Sequence, residues 1–174
     1  MRNWVPVLLP SLIAGLFAHQ GMAADLNIKV NIPQINASEY HRPYVAVWIE
    51  RVDQSVAQNL ALWYSQKSGP EGSGTKWLAD LRQWWRKGGR DAQLPLDGIS
   101  GATRPVGEYS LSFNDGKALA ALPKGEYRLV VEAAREKGGH ELVRIPFNWP
   151  ATKADTQKVD GQQELGAISL DIKP

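Results

Sequence analysis

The densest group of chemistry-bearing side chains in this 174-residue chain is Asp97-Gly98-Ile99-Ser100-Gly101-Ala102-Thr103-Arg104-Pro105. It brings a carboxylate, two alcohols and a guanidinium together. The plainest reading is a loop: an Asp97-Gly98 turn, a Ser100-Gly101 turn, and small residues leading into a strand. Pro105 biases Arg104 toward extended geometry. Few other residues compete for a chemical role. There is no cysteine, which removes disulfides, iron–sulfur clusters, thiolate zinc sites, cysteine nucleophiles and CxxCH haem attachment. His41 and His140 lie far apart in sequence with no acidic cluster beside either, a weak pattern for metal. His140 follows Gly138-Gly139 and reads as a solvated hairpin-tip residue. No GxSxG, HExxH or Walker loop occurs. The formal net charge of +2 gives no argument for nucleic acid.

Asp97 to Thr103 also fits the pattern D-x-x-[ST]-G-A-[ST] and resembles the target motif of bacterial flavin transferases. Those enzymes take FMN from FAD and link its phosphate to the motif's last hydroxyl. The resemblance implies Thr103 as acceptor of covalent FMN. It implies that Gly101 and Ala102 keep the segment thin enough to enter another enzyme's active site. Asp97 and Ser100 would shape or assist the loop, and Arg104 would set a cation beside the phosphodiester.

These residues need a scaffold and a compartment. Residues 1–23 read as a secretory signal peptide, with Arg2, an apolar run and the small-x-small site Gly21-Met22-Ala23. This places the chain in the periplasm, peripheral to the membrane at most. The remaining 24–174 read as one domain. Leu26, Ile28, Val30 and Ile32 alternate with polar residues as a half-buried strand. Pro43–Glu50 is a near-continuous apolar run that reads as a central strand, and Val56–Tyr64 follows through the turn Arg51–Ser55. Gly69–Gly74 reads as a loop. Lys76–Lys87 reads as a helix capped by Thr75 and stopped by Gly88-Gly89. Its apolar stripe is Trp77, Leu78, Leu81, Trp84 and Trp85. Tryptophan is unusually frequent, seven against three Phe. Trp84 and Trp85 are candidates to stack an isoalloxazine ring, or the stripe simply buries the helix on the sheet. Strands return at Gly107–Asn114, Glu126–Arg135 and His140–Trp149, with turns at Asn114–Lys117 and Lys137-Gly138-Gly139. Pro150–Gly161 reads as a polar mobile loop, and Leu165–Ile172 as the closing strand. The expected fold is mainly β: an immunoglobulin-like antiparallel β-sandwich of about seven strands, with one amphipathic helix inserted near 75–88.

Two further resemblances bear on this. Gly107-Glu108-Tyr109, with Pro123-Lys124-Gly125-Glu126-Tyr127 through Val131 to Ala133, is similar to the immunoglobulin-like module of flagellar hook-capping proteins. The whole of 24–174 resembles the bacterial periplasmic domain of unknown function 2271 family. That resemblance rests on Arg42–Glu50, Leu60–Tyr64, Lys76–Arg86, the Asp97–Pro105 loop and Val131–Glu136. It implies company with PepSY-type membrane reductases and flavin transferases. The expected function is then a periplasmic electron-transfer accessory, a carrier rather than a substrate-converting enzyme. The alternative is a non-enzymatic binding module without flavin, docking through Trp84-Trp85-Arg86.

Overall fold

The computed structural model describes residues 25–69, 72–114, 119 and 121–174. The segment read as a signal peptide and most of the expected Asn114–Lys117 turn lie outside them. The core is two stacked sheets. The first has the order β10-β11-β1-β7, built from β1 (Asp25–Ile32), β7 (Gly107–Phe113), β10 (Asp155–Asp160) and β11 (Ala167–Lys173). The second has the order β6-β3-β2-β8-β9, from β2 (Tyr44–Arg51), β3 (Val56–Tyr64), β6 (Ser100–Ala102), β8 (Gly125–Ala134) and β9 (His140–Trp149). A two-residue ladder, β4 (Ser68–Gly69) with β5 (Gly72–Ser73), stands where a plain loop was expected. The β-sandwich reading holds, but the two sheets hold nine strands among the described residues where about seven were expected, and β6 pairs parallel to β3 in an otherwise antiparallel sheet.

Period two explains β1. Leu26, Ile28, Val30 and Ile32 are fully buried on one face, against Val45, Val47 and Ile49 of β2 and Leu129 and Val131 of β8 in the main core. The continuous apolar run of β2 has a different cause: the strand is covered on both faces. Its other face, Tyr44, Ala46 and Trp48, packs with Leu62 and Tyr64 of β3 and with Leu78, Leu81 and Trp84 of the insertion. Fully burying a large apolar side chain stabilises by about 1.5–3 kcal/mol, so the insertion is a second layer of core.

Two expectations are corrected. The helix over 76–87 is not continuous. A 3-10 turn spans Gly74–Asp80 and a five-residue helix, α1, spans Arg82–Arg86, with Leu81 at ψ 71 between them. Ser73 rather than Thr75 supplies the capping oxygen, while Gly88 at φ 136 ends the segment as expected. Pro150–Gly161 is not all loop. Asp155–Asp160 pairs with β11 as an edge strand, largely exposed and polar except for Val159.

Tyr109 and Tyr127 each start a strand and donate a hydroxyl hydrogen bond four residues back, to Pro105 O at 2.9 Å and Pro123 O at 2.7 Å. The first fixes where the chain leaves the Thr103 segment.

Candidate functional site

The Asp97–Thr103 stretch is half turn, half strand. Ser100 Oγ accepts from Leu96 N–H at 2.8 Å and Ser100 N–H donates to Leu96 O at 3.0 Å, which closes the turn carrying Asp97 and Gly98. Asp97 is exposed and makes no hydrogen bond among the described residues. Ser100, Gly101 and Ala102 then run parallel to β3, opposite Leu62, Trp63 and Tyr64. Leu62 N–H also bonds Ile99 O at 2.9 Å. The expected free loop is thus an edge strand held to the sheet until Thr103. Gly101 lies flat on Trp63, where an added Cβ would stand 3.4 Å from Cδ1. The Arg104 guanidinium rests on the Trp63 and Tyr109 rings, 5.3 and 5.6 Å from their centroids. Such contacts contribute about 0.5–2 kcal/mol, so Arg104 braces the segment.

Half-buried Thr103 lines a cleft at this end of the second sheet, with a volume of about 500 Å³. Topology places it. β3 and β6 run parallel and finish side by side, at Tyr64 and Ala102. β2 runs against β3 and begins there at Tyr44, and β8 finishes there at Ala134. Segments entering or leaving these ends supply the walls: Tyr40, His41, Arg42 and Tyr44 before and at β2, Lys67 after β3, Glu136 after β8, and Trp77 on the 3-10 turn. Tyr44 Oη donates to Gly74 O at 3.0 Å. Burial pushes its phenol pKa up, so it stays protonated as a donor. Gly74 approaches Ser65 so closely that any Cβ would run into the Ser65 carbonyl oxygen. The start of the 3-10 turn is therefore clamped to both β2 and β3.

Charges line one wall. His41 Nε2 is 2.9 Å from Glu39 Oε1, and Nδ1 is 3.6 Å from Glu136 Oε2. Hydrogen bonds from His41 and then Lys137 hold the exposed Glu39 carboxyl below its usual range. Glu39 stands two residues before His41 in the sequence, whereas Glu136 is distant and reaches it only through the fold. His140 is not a solvated tip residue. Its Nε2 lies 2.6 Å from Oε1 of fully buried Glu132. Glu132 also accepts from Gln83 N–H and Trp84 N–H, both at 2.8 Å. A carboxylate on the sheet thus satisfies the first amides of α1, which has no side-chain cap of its own.

The two members of the expected stacking pair sit differently. Trp84 is 2% exposed, inside the second core, with Nε1 bonded to Asn59 Oδ1 at 3.1 Å. Its ring faces are committed to packing. Trp85 is partly buried against the same cluster, as Trp77 is, and Arg86 is exposed. The tryptophan that lines the same cleft as Thr103 is Trp77, whose ring carries Lys76 Nζ 4.7 Å from its centroid. Sequence did not single out Tyr40, Tyr44, Lys67 or Glu136. Only the sheet order shows that their strand ends meet.

A family model described as "Predicted periplasmic protein (DUF2271)" matches residues 25–167. No curated protein and no solved structure matches the chain. Among the described residues, no helix is long and apolar enough to cross a membrane.

Proposed function

The chain belongs to the DUF2271 family of predicted periplasmic proteins, and from that premise we propose that it is an electron-transfer carrier with FMN joined to Thr103. The observation that carries the reading is the position of Thr103, at the end of a sheet-anchored strand and on the wall of a cleft of about 500 Å³. The attachment balances as a simple phosphoryl transfer. Thr103 Oγ1 attacks the flavin-side phosphorus of FAD, the pyrophosphate P–O bond breaks, AMP leaves, and the hydroxyl proton passes to base in the transferase. Small Gly101 and Ala102 leave the approach open, and Ser100 holds the turn behind them. The residues fit such a group: aromatic faces suit a flat ring, and Arg42 and Lys67 suit an anion. Bound flavin would supply one- and two-electron transfer. A flavin transferase would load the protein and a PepSY-type membrane reductase would supply electrons.

Flavin fluorescence of the denatured band after co-expression with a flavin transferase tests this. Wild type and Thr103→Ser should fluoresce, because the alcohol survives. Thr103→Ala should be dark. A fluorescent Thr103→Ala band overturns the acceptor assignment.

A further inference from the structure

We propose that the cleft beside Thr103 is a subsite for a planar aromatic anion, with the isoalloxazine ring of FMN packed on Trp77 and its phosphate side toward Arg42 and Lys67. This rests on the flavin reading of Thr103 but adds a ring site that the motif does not specify. Four observations converge. First, Trp77 lines the same cleft as Thr103 and is only partly buried against the second core, whereas Trp84 is 2% exposed within it; a ring landing on Trp77 takes the place of Lys76, which lies 4.7 Å from its centroid. Second, Trp77 stands on a clamped platform. The Tyr44 hydroxyl holds Gly74 O, and the Gly74 backbone lies against Ser65. A pre-set aromatic face loses little freedom when a ring lands on it. Third, the polarity suits an anion: Arg42 and Lys67 line the cleft and Lys76 sits on the Trp77 ring, against Glu136, which already faces His41. Fourth, the hydroxyl of Tyr40, another wall residue, is buried with no hydrogen-bond partner, so this wall is not a finished, self-satisfied surface. The volume of about 500 Å³ lies in the range of small-molecule sites.

The test separates the ring site from covalent attachment. Free FMN is titrated into purified Thr103→Ala protein, where nothing can be attached, and flavin fluorescence is followed at low salt. Saturable quenching below roughly millimolar FMN is expected, since a tethered ring works at about that effective concentration. Adding Trp77→Ala should weaken binding about tenfold or more, and Trp77→Phe, which keeps an aromatic face, should restore most of it. Lys67→Glu should weaken it severalfold, and Trp85→Phe should leave it unchanged. Circular dichroism checks that each variant is folded. Non-saturable quenching, or equal binding by Trp77→Ala and its parent, overturns the subsite. Thr103 attachment is read independently, from the mass of the co-expressed wild type, so either claim fails without the other.

Discussion

Replacing Glu132 with alanine should detach the insertion from the sheet. Glu132 is fully buried and accepts from Gln83 N–H and Trp84 N–H at 2.8 Å each, with His140 Nε2 at 2.6 Å. A buried donor left unsatisfied costs about 1–3 kcal/mol. The Trp84 amide belongs to a residue 2% exposed, so it bears the full cost. The Gln83 amide is partly reached by water and bears less. His140, with 28% of its side chain exposed, can turn to solvent. The sum is about 2–4 kcal/mol. For a domain of this size each kcal/mol moves Tm by roughly 2–4 °C, so Tm should fall by roughly 5–15 °C. Glu132→Gln keeps one carbonyl acceptor but turns an NH₂ toward an N–H, and should cost about half as much. Urea and thermal unfolding by circular dichroism give both values, and tryptophan fluorescence reports the loosened cluster around Trp84. Glu132→Ala protein within about 0.5 kcal/mol of wild type, the ordinary range for a surface change, would refute this reasoning.

Three further outcomes follow. Glu141 is pushed up by burial but held below its ordinary value of 4.5 by four backbone N–H donors, from Gln162 to Leu165 at 2.5–2.9 Å. Its contribution is therefore complete above that value and lost as pH falls through the lower folded one. Glu141→Gln should flatten the acid limb of stability against pH below about 4.5, and an unchanged limb would remove Glu141 from the account. Gly74→Ala should displace the 3-10 turn from Ser65 and quench or shift Trp77 emission, with a cost of about 1–3 kcal/mol typical of overpacking; a wild-type melting curve would contradict the clamp. Ser100→Ala should cost about 1 kcal/mol by freeing the Leu96 amide and weaken flavin loading without abolishing it, while exposed Asp97→Ala should leave stability unchanged but reduce loading. Loading on a gel and a urea midpoint together read both.

Much of the sandwich was legible because one side of each sheet is buried. β1 alternates cleanly, and β3 and β9 keep the bounds that turns and alternation assign. β10 was hidden because an exposed edge strand needs no apolar alternation, and Asp155–Asp160 carries only the single Val159. The stripe of the insertion was legible as a buried face, since Trp77, Leu78, Leu81, Trp84 and Trp85 all pack in or against the second cluster. The break at Leu81 was not, because no glycine or proline marks it. Nor was it legible that partly buried Trp77 also lines the cleft with Thr103. The motif itself was readable, but its pairing with β3 depends on a contact distant in sequence. The cleft was the least readable part. It is made of strand ends, and strand order is a property of the assembled sheet.

The central claim is the covalent bond to Thr103, and intact mass measures it most directly. Protein exported with an active flavin transferase should gain the mass of one FMN less one water, lodged on the peptide containing Thr103 and absent from Thr103→Ala. An unmodified wild-type mass, with the same transferase loading a control substrate in the same cells, would contradict the account.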